Sequence, residues 1–433
     1  MTKRRVRAPE APPPKSARPP CARWVGPLTA ALLGSSVLHA RSGLRDPTVP
    51  HRIAVGPPAG VWPMQRGDAA RTGRTSVAFP TTPMVVKRIP LFADLATGPV
   101  VDDREHLVVA TKDSKLVEIM PSGQVASTLT LDAPVVLGPV LESDGTRFVV
   151  TREGVAVGVS ADGAVAFTTP LGVSRGSVLA EPLATRDGAA VVALGSRLMK
   201  VGSDGDVRAS AELDEAVVAI TETSRALYVG TETGRIFEWV PPEVPRSLGS
   251  LGGKPTSELV VLDASRVVAA VRGTALVELV VRDGARATLV SLAPDLVIDT
   301  PAVTPAGELR LTTRGGWLLG YAGSRETLRH ATTPPTTLPA FVHADATLPP
   351  LVDVTGAVAF VSPSAAFGIV LPSGETRTTI VSECGPPGAF VPAGRQRLAV
   401  FCRSGFIAVV GQAPSVPSAS PPTATPSSSL RFP

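Results

Sequence analysis

The stretch Gly98–Leu131, GPVVDDREHLVVATKDSKLVEIMPSGQVASTLTL, decides the fold. Gly98-Pro99 breaks the chain ahead of a strand at Val100-Val101, and Asp102–Glu105 is a polar turn. Leu107–Ala110 is a short apolar run of the kind buried on both faces of a sheet. Lys112–Ser114 turns the chain again, Leu116 and Ile119 carry a third strand, and Pro121–Gly123 closes it. Gln124–Leu131 then alternates, with Val125, Ser127, Leu129 and Leu131 on one side, as a half-exposed outer strand does. A single sheet of four such strands cannot bury both its faces, so it needs neighbours of the same shape.

Those neighbours are present. The central hairpin, LVVATKDSKLVEI from Leu107, recurs from Phe148, Val191, Leu227, Val267, Leu309, Val358 and Leu398. Successive starts lie 41, 43, 36, 40, 42, 49 and 40 residues apart. A period near 40 residues is that of propeller blades. Opening strands precede the hairpins, as at Glu181-Pro182-Leu183 and Thr300–Val303, and outer strands follow most of them, as at Ala164–Leu171 and Asp206–Leu213. The fourth unit is weak in its outer strand, where Pro241, Pro242 and Pro245 intervene. The eighth has none, because Gly411 leads into a Pro/Ser/Thr tail, whereas Met84–Leu91 is a strand with no hairpin of its own. Pairing the two completes the last blade and removes an open sheet edge. The expected fold is an all-β propeller of eight four-stranded blades, closed by an N-terminal strand; seven blades would follow if the fourth or seventh unit were not one.

Composition agrees. Hydrophobic residues are 44% but aromatics only 4%, so the core must be built from Val, Leu and Ala, and Val favours strands. Residues 1–40 carry a net charge of +6, which leaves −1 for the rest of a chain whose total is +5. A nearly neutral body without a basic stripe argues against nucleic acid as a partner. Residues 1–40 read as a basic leader with a signal-like apolar run at Trp24–Leu38 and a cut after Ala40. Residues 41–60 read as a disordered linker, 61–412 as the propeller and 413–433 as a disordered tail. Export to the periplasm, the outer envelope or the exterior follows from the leader, with no membrane span in the mature chain.

Candidate chemistry is sparse. Once the leader with Cys21 is removed, Cys384 and Cys402 are the remaining cysteines; in an exported protein they form either a disulfide or two buried thiols. His51, His106, His330 and His343 are isolated and read as surface or turn residues, so no metal site is expected. Acidic turns such as Ser203–Asp206 lack the ligand series of a calcium loop and read as hairpin turns. No nucleophile elbow, P-loop or zinc-protease motif occurs.

Val61–Gly73, with Trp62, Arg66-Gly67-Asp68 and Arg71-Thr72-Gly73, resembles the opening motif of bacterial proteins with pyrroloquinoline-quinone-like propeller repeats. Met64 and Gln65 depart from its aromatic position, and the family's blade-ending Trp is mostly missing. In that family Arg66-Gly67-Asp68 is implied to be a structural turn before the closing strand. The catalytic branch holds a quinone over a calcium ion and a pair of adjacent cysteines. Here no cysteines are adjacent and Asn is absent altogether. The resemblance therefore implies the non-catalytic branch, similar to the propeller lipoprotein of the outer-membrane β-barrel assembly machine. The expected function is a non-enzymatic, monomeric scaffold for a protein partner, without cofactor. The alternatives are a degenerate quinone-dependent dehydrogenase and a carbohydrate-binding or surface-sensing propeller.

Overall fold

The computed structural model describes residues 61–414 except 92, 173–178, 272–274, 282–283, 292–299, 314–315, 332–347, 363–365 and 386. The expected leader, the whole of the linker, the body of the tail, His51 and His343 lie outside the described residues. Every regular element among those described is a strand, and the strands form eight four-stranded antiparallel sheets. In the first, Val100–Val101, Leu107–Ala110, Lys115–Ile119 and Val125–Thr130 pair in chain order. The eight-blade expectation holds.

Burial follows the sequence pattern. The second strands are buried along their length, as at Leu107–Ala110 and Arg147–Thr151. The outer strands alternate between exposed and half-buried, as at Val125–Thr130 and Val165–Pro170. Side chains of adjacent blades share apolar clusters, so each sheet covers its neighbour's face.

The fourth blade is complete. Its prolines fall in the turn before the outer strand Arg246–Ser250, where the Trp239 indole donates to the Glu243 carbonyl at 2.9 Å. The sixth blade has an outer strand at Arg325–Ala331 that its mostly polar sequence conceals. Closure is as expected: Pro83–Pro90 pairs antiparallel with Phe406–Gln412, with a register shift between Val85 and Lys87. The acidic turns are hairpin turns. Gly205 has φ +87° and donates to the Gly202 carbonyl, while the Asp204 carboxylate accepts from the Asp206 amide.

Candidate functional site

A propeller's inner strands present one unpaired edge each to the central channel, and those backbone groups need partners. Here the residues just before the closing strand supply them, visiting the blades nearly in order. Trp62 exchanges amide and carbonyl bonds with Val101 of blade 1 at 2.8 and 2.9 Å, and the Pro63 carbonyl accepts from Leu141 of blade 2. Ala69 accepts from Glu222 of blade 4 and Ala70 from Val261 of blade 5. Thr72 accepts from Val303 of blade 6 and Gly73 accepts from Val352 of blade 7, while in blade 8 Ala78 accepts from Gln396 in the turn after the inner strand. Blade 3 is reached by a side chain. Arg71 Nη2 donates to the Glu181 and Pro182 carbonyls, both at 2.9 Å.

Residues 62–78 are thus a plug at the hub of the ring, and the motif residues are its working parts. Arg71, fully buried, also donates to the Gln65 and Ile220 carbonyls at 2.7 and 3.3 Å. The Arg66 guanidinium donates to the Pro350 and Pro301 carbonyls of blades 7 and 6 at 3.0 and 2.8 Å. Asp68 accepts from the Thr72 amide at 2.8 Å and from the Thr72 hydroxyl; burial holds its carboxyl above the usual range despite those bonds. Gly67 sits at φ +79°, and a Cβ there would lie 2.3 Å from the Trp62 ring. A Cβ on Gly73, at φ +65°, would meet Arg66 Nη2 at 2.2 Å. The motif marks the turn but not the hub, because the partners lie up to 284 residues away.

Two features adjoin the plug. Glu181 and Glu258 come from blades 3 and 5, with Arg71 of the plug acting on Glu181. Burial pushes the Glu181 carboxyl up to about 7, with the Glu258 charge adding to this and Arg71 opposing it. With its amide nitrogen turned toward Glu181, Gln65 donates to that carboxylate at 3.1 Å. A cleft of about 760 Å³, with Gln65 in its lining, opens over blades 7, 8 and 1. Trp62, Leu351, Phe390 and Phe401 contribute to its lining, with Leu95, Thr97, Leu348 and, in hairpin turns, Lys112 and Arg403.

Cys384 and Cys402 are brought together with a Cα–Cα distance of 4.6 Å in a disulfide. It ties the connection between blades 7 and 8 to the second strand of blade 8, beside the cleft, and does not bridge the pair of strands that closes the ring. The closing strand is held to that connection separately, by Arg88 and Glu383 at 3.0 Å.

His106 closes the turn that follows the first strand of blade 1, as read, but it is not isolated. Its Nδ1 lies 2.6 Å from Glu118, and Asp102, His106 and Glu118 offer atoms within 4.8 Å of one another. Arg104 and Arg147 already occupy Glu118 at 2.8 and 2.9 Å, and Ser127 donates to its other oxygen at 3.1 Å. Two guanidiniums among the ligand atoms disfavour a cation, so the cluster is an ion network joining blades 1 and 2. His330 packs against Phe360, ring centroids 5.9 Å apart.

A quinone stacked on adjacent cysteines beside a calcium ion does not fit these residues. The described cysteines are 18 apart and bonded to each other. The hub is filled by the chain itself, Glu181 lies beside Arg71, and the cleft's Asp94 is paired with Lys112 at 3.1 Å.

No protein-family model matches the chain, and no curated protein does. Solved structures do. BamB from Moraxella catarrhalis is 15% identical over 76% of this chain and 100% of its own, with a TM-score of 0.55. A europium-containing methanol dehydrogenase is 11% identical over 79% and 89%, with a TM-score of 0.59. Virginiamycin B lyase from Staphylococcus aureus with quinupristin is 12% identical over 76% and 100%, with a TM-score of 0.50. The likeness is one of fold, and it agrees with the resemblance to quinone-type propellers read from the sequence. A dehydrogenase and a lyase share that fold, so it does not by itself select an activity.

Proposed function

We propose that the protein is a non-enzymatic, exported scaffold that holds a protein partner on the face carrying the cleft. The observation that carries this reading is the plug. Arg66, Arg71 and the backbone of residues 62–78 pair with backbone groups of the blades at the hub, and the cleft over blades 7, 8 and 1 offers a large concave surface. Its volume and its mixed apolar and polar lining suit recognition of an inserted group. The fold shared with BamB is compatible with the same reading. Export places Cys384 and Cys402 where a disulfide persists.

The test is a photo-crosslinking residue at Asp94, on the cleft lining, against one at Val244, an exposed turn residue of blade 4. In cells of the native host, the Asp94 probe is expected to capture a defined protein that the Val244 probe does not. Equal labelling at both positions would count against the reading. So would dye-linked alcohol oxidation after incubation with quinone and calcium. Mass spectrometry of the purified native protein is expected to give a mature N-terminus at Arg41.

A further inference from the structure

The outer strand of each blade pairs on one side only, so its far edge has no strand partner. Seven of the eight outer strands guard that edge in their sequence. Val165–Pro170 ends in a proline, and Val207–Glu212, Arg246–Ser250, Ala285–Ser291, Arg325–Ala331, Thr376–Ile380 and Pro83–Pro90 each carry a charged side chain. Val125–Thr130 of blade 1, VASTLT, has neither. The Leu131 amide donates to the Ser114 carbonyl at 2.8 Å, while Thr130 stands opposite Lys115 and Thr128 opposite Val117. By the alternation of an antiparallel ladder, the N–H and C=O groups of Thr128 and Thr130 therefore point away from the blade. Both side chains are exposed, and Val125 is 55% exposed. In blade 2, Pro170 holds the register of Thr130, opposite Val155, and removes the donor that Thr130 offers.

We propose that this edge of blade 1 binds an extended, uncharged segment of another protein as a fifth strand of the sheet. The backbone of the segment pairs with Thr128 and Thr130, and its β-branched side chains lie beside those threonines. The strand holds no charge to answer a charged segment, whereas an uncharged one buries no unpaired charge. A second copy is the weaker fit, because pairing along six residues falls well short of the roughly 1,200 Å² of a stable specific interface. The chain's own residues 414–433 also fit poorly, since their prolines lack amide donors. The inference is separate from the cleft and stands even if the Asp94 crosslink captures nothing.

Fluorescence polarisation and amide hydrogen exchange on the full chain test it. The probe is fluorescein-labelled Lys-Gly-Thr-Val-Thr-Val-Thr-Gly-amide. Its control is N-methylated at the central Thr and the Val after it, which blocks both edges. The control is expected to bind at least about tenfold more weakly than the probe. The bound probe should slow exchange in residues 125–131 and in no other outer strand. Thr130→Pro copies blade 2, so it should keep the parent's circular dichroism melt and weaken the probe by a similar factor. Thr128→Lys, an exposed change, should weaken it too by placing a charge on the edge. No binding of the probe, equal binding of probe and control, protection at another strand, or parental affinity in either variant would overturn the proposal. So would a dimer that Thr130→Pro converts to monomer, which assigns the edge to a second copy. Probe binding that appears only after residues 414–433 are deleted would overturn it in favour of the tail.

Discussion

Replacing Arg71 with alanine removes one side chain that ties the plug to blades 3 and 4 and to the plug's own turn. Four carbonyls lose a donor: Gln65, Glu181, Pro182 and Ile220. The bonds to Pro182 and Ile220 are buried, while those to Gln65 and Glu181 lie where water can replace the guanidinium. Each buried carbonyl left unpaired costs about 1–3 kcal/mol. Two such groups give a loss centred near ~4 kcal/mol, comparable to breaking a buried ion pair. For a body of roughly 350 residues the unfolding entropy near 60 °C is about 0.7 kcal/mol/K, so the midpoint should fall by about 5 °C. Differential scanning calorimetry of Arg71→Ala against the exposed-site control Arg225→Ala measures this. Arg71→Lys should recover little, because an ammonium cannot span carbonyls on three segments as a planar fork does. A midpoint within 1 °C of the control would refute the idea that Arg71 fastens the hub.

Four further outcomes follow from the same geometry. Gly67→Ala places a Cβ against the Trp62 ring at a positive φ and should cost about 2–4 kcal/mol by urea denaturation. Cys384→Ser with Cys402→Ser opens an 18-residue loop and should cost about 3 kcal/mol, with no further loss on adding reductant. Arg88→Ala breaks an exposed ion pair with Glu383 and should change stability by less than about 1 kcal/mol, although it lies on the closing strand. Glu142 gives a pH signature. Burial, aided by the Asp144 charge and opposed by Arg208, raises its carboxyl from 4.5 to about 8. Between those values the native state keeps a proton that the unfolded chain has lost, so stability falls as pH rises through that window. Glu142→Gln should remove that fall, gaining about 1–2 kcal/mol over the parent at pH 8 and little at pH 5, read from urea midpoints.

The site was less legible in the sequence than the fold. Trp62, Arg66, Gly67, Asp68, Arg71 and Gly73 stood out as a motif, and their spacing is that of a local turn. Nothing in the motif marks two arginines that bond carbonyls on four blades. A signal was present in retrospect. Arg66 and Arg71 have Asp68 as the only acid nearby, fewer carboxylates than guanidiniums, which leaves basic side chains for backbone oxygens to receive. The isolation expected of His106 fails for a related reason: its partner Glu118 belongs to another strand and Arg147 to another blade.

The sequence by itself determined the blades. Each is a local object, because its strands are short, its turns are set by Gly and Asp, and its period of about 40 residues repeats along the chain. Even ring closure was visible, since the last hairpin lacked an outer strand and Met84–Leu91 lacked a hairpin. Only the tertiary structure decided what occupies the centre and where a partner can sit. The inner edges of the blades face the axis only once the ring has formed, and the segment that satisfies them draws on groups hundreds of residues apart. The cleft likewise exists because the connection from blade 8 to blade 1 meets blade 7 across the seam, bringing Thr97, Leu348 and Arg403 onto one surface. Such a juxtaposition is set by closure of the whole ring, and no local pattern encodes it.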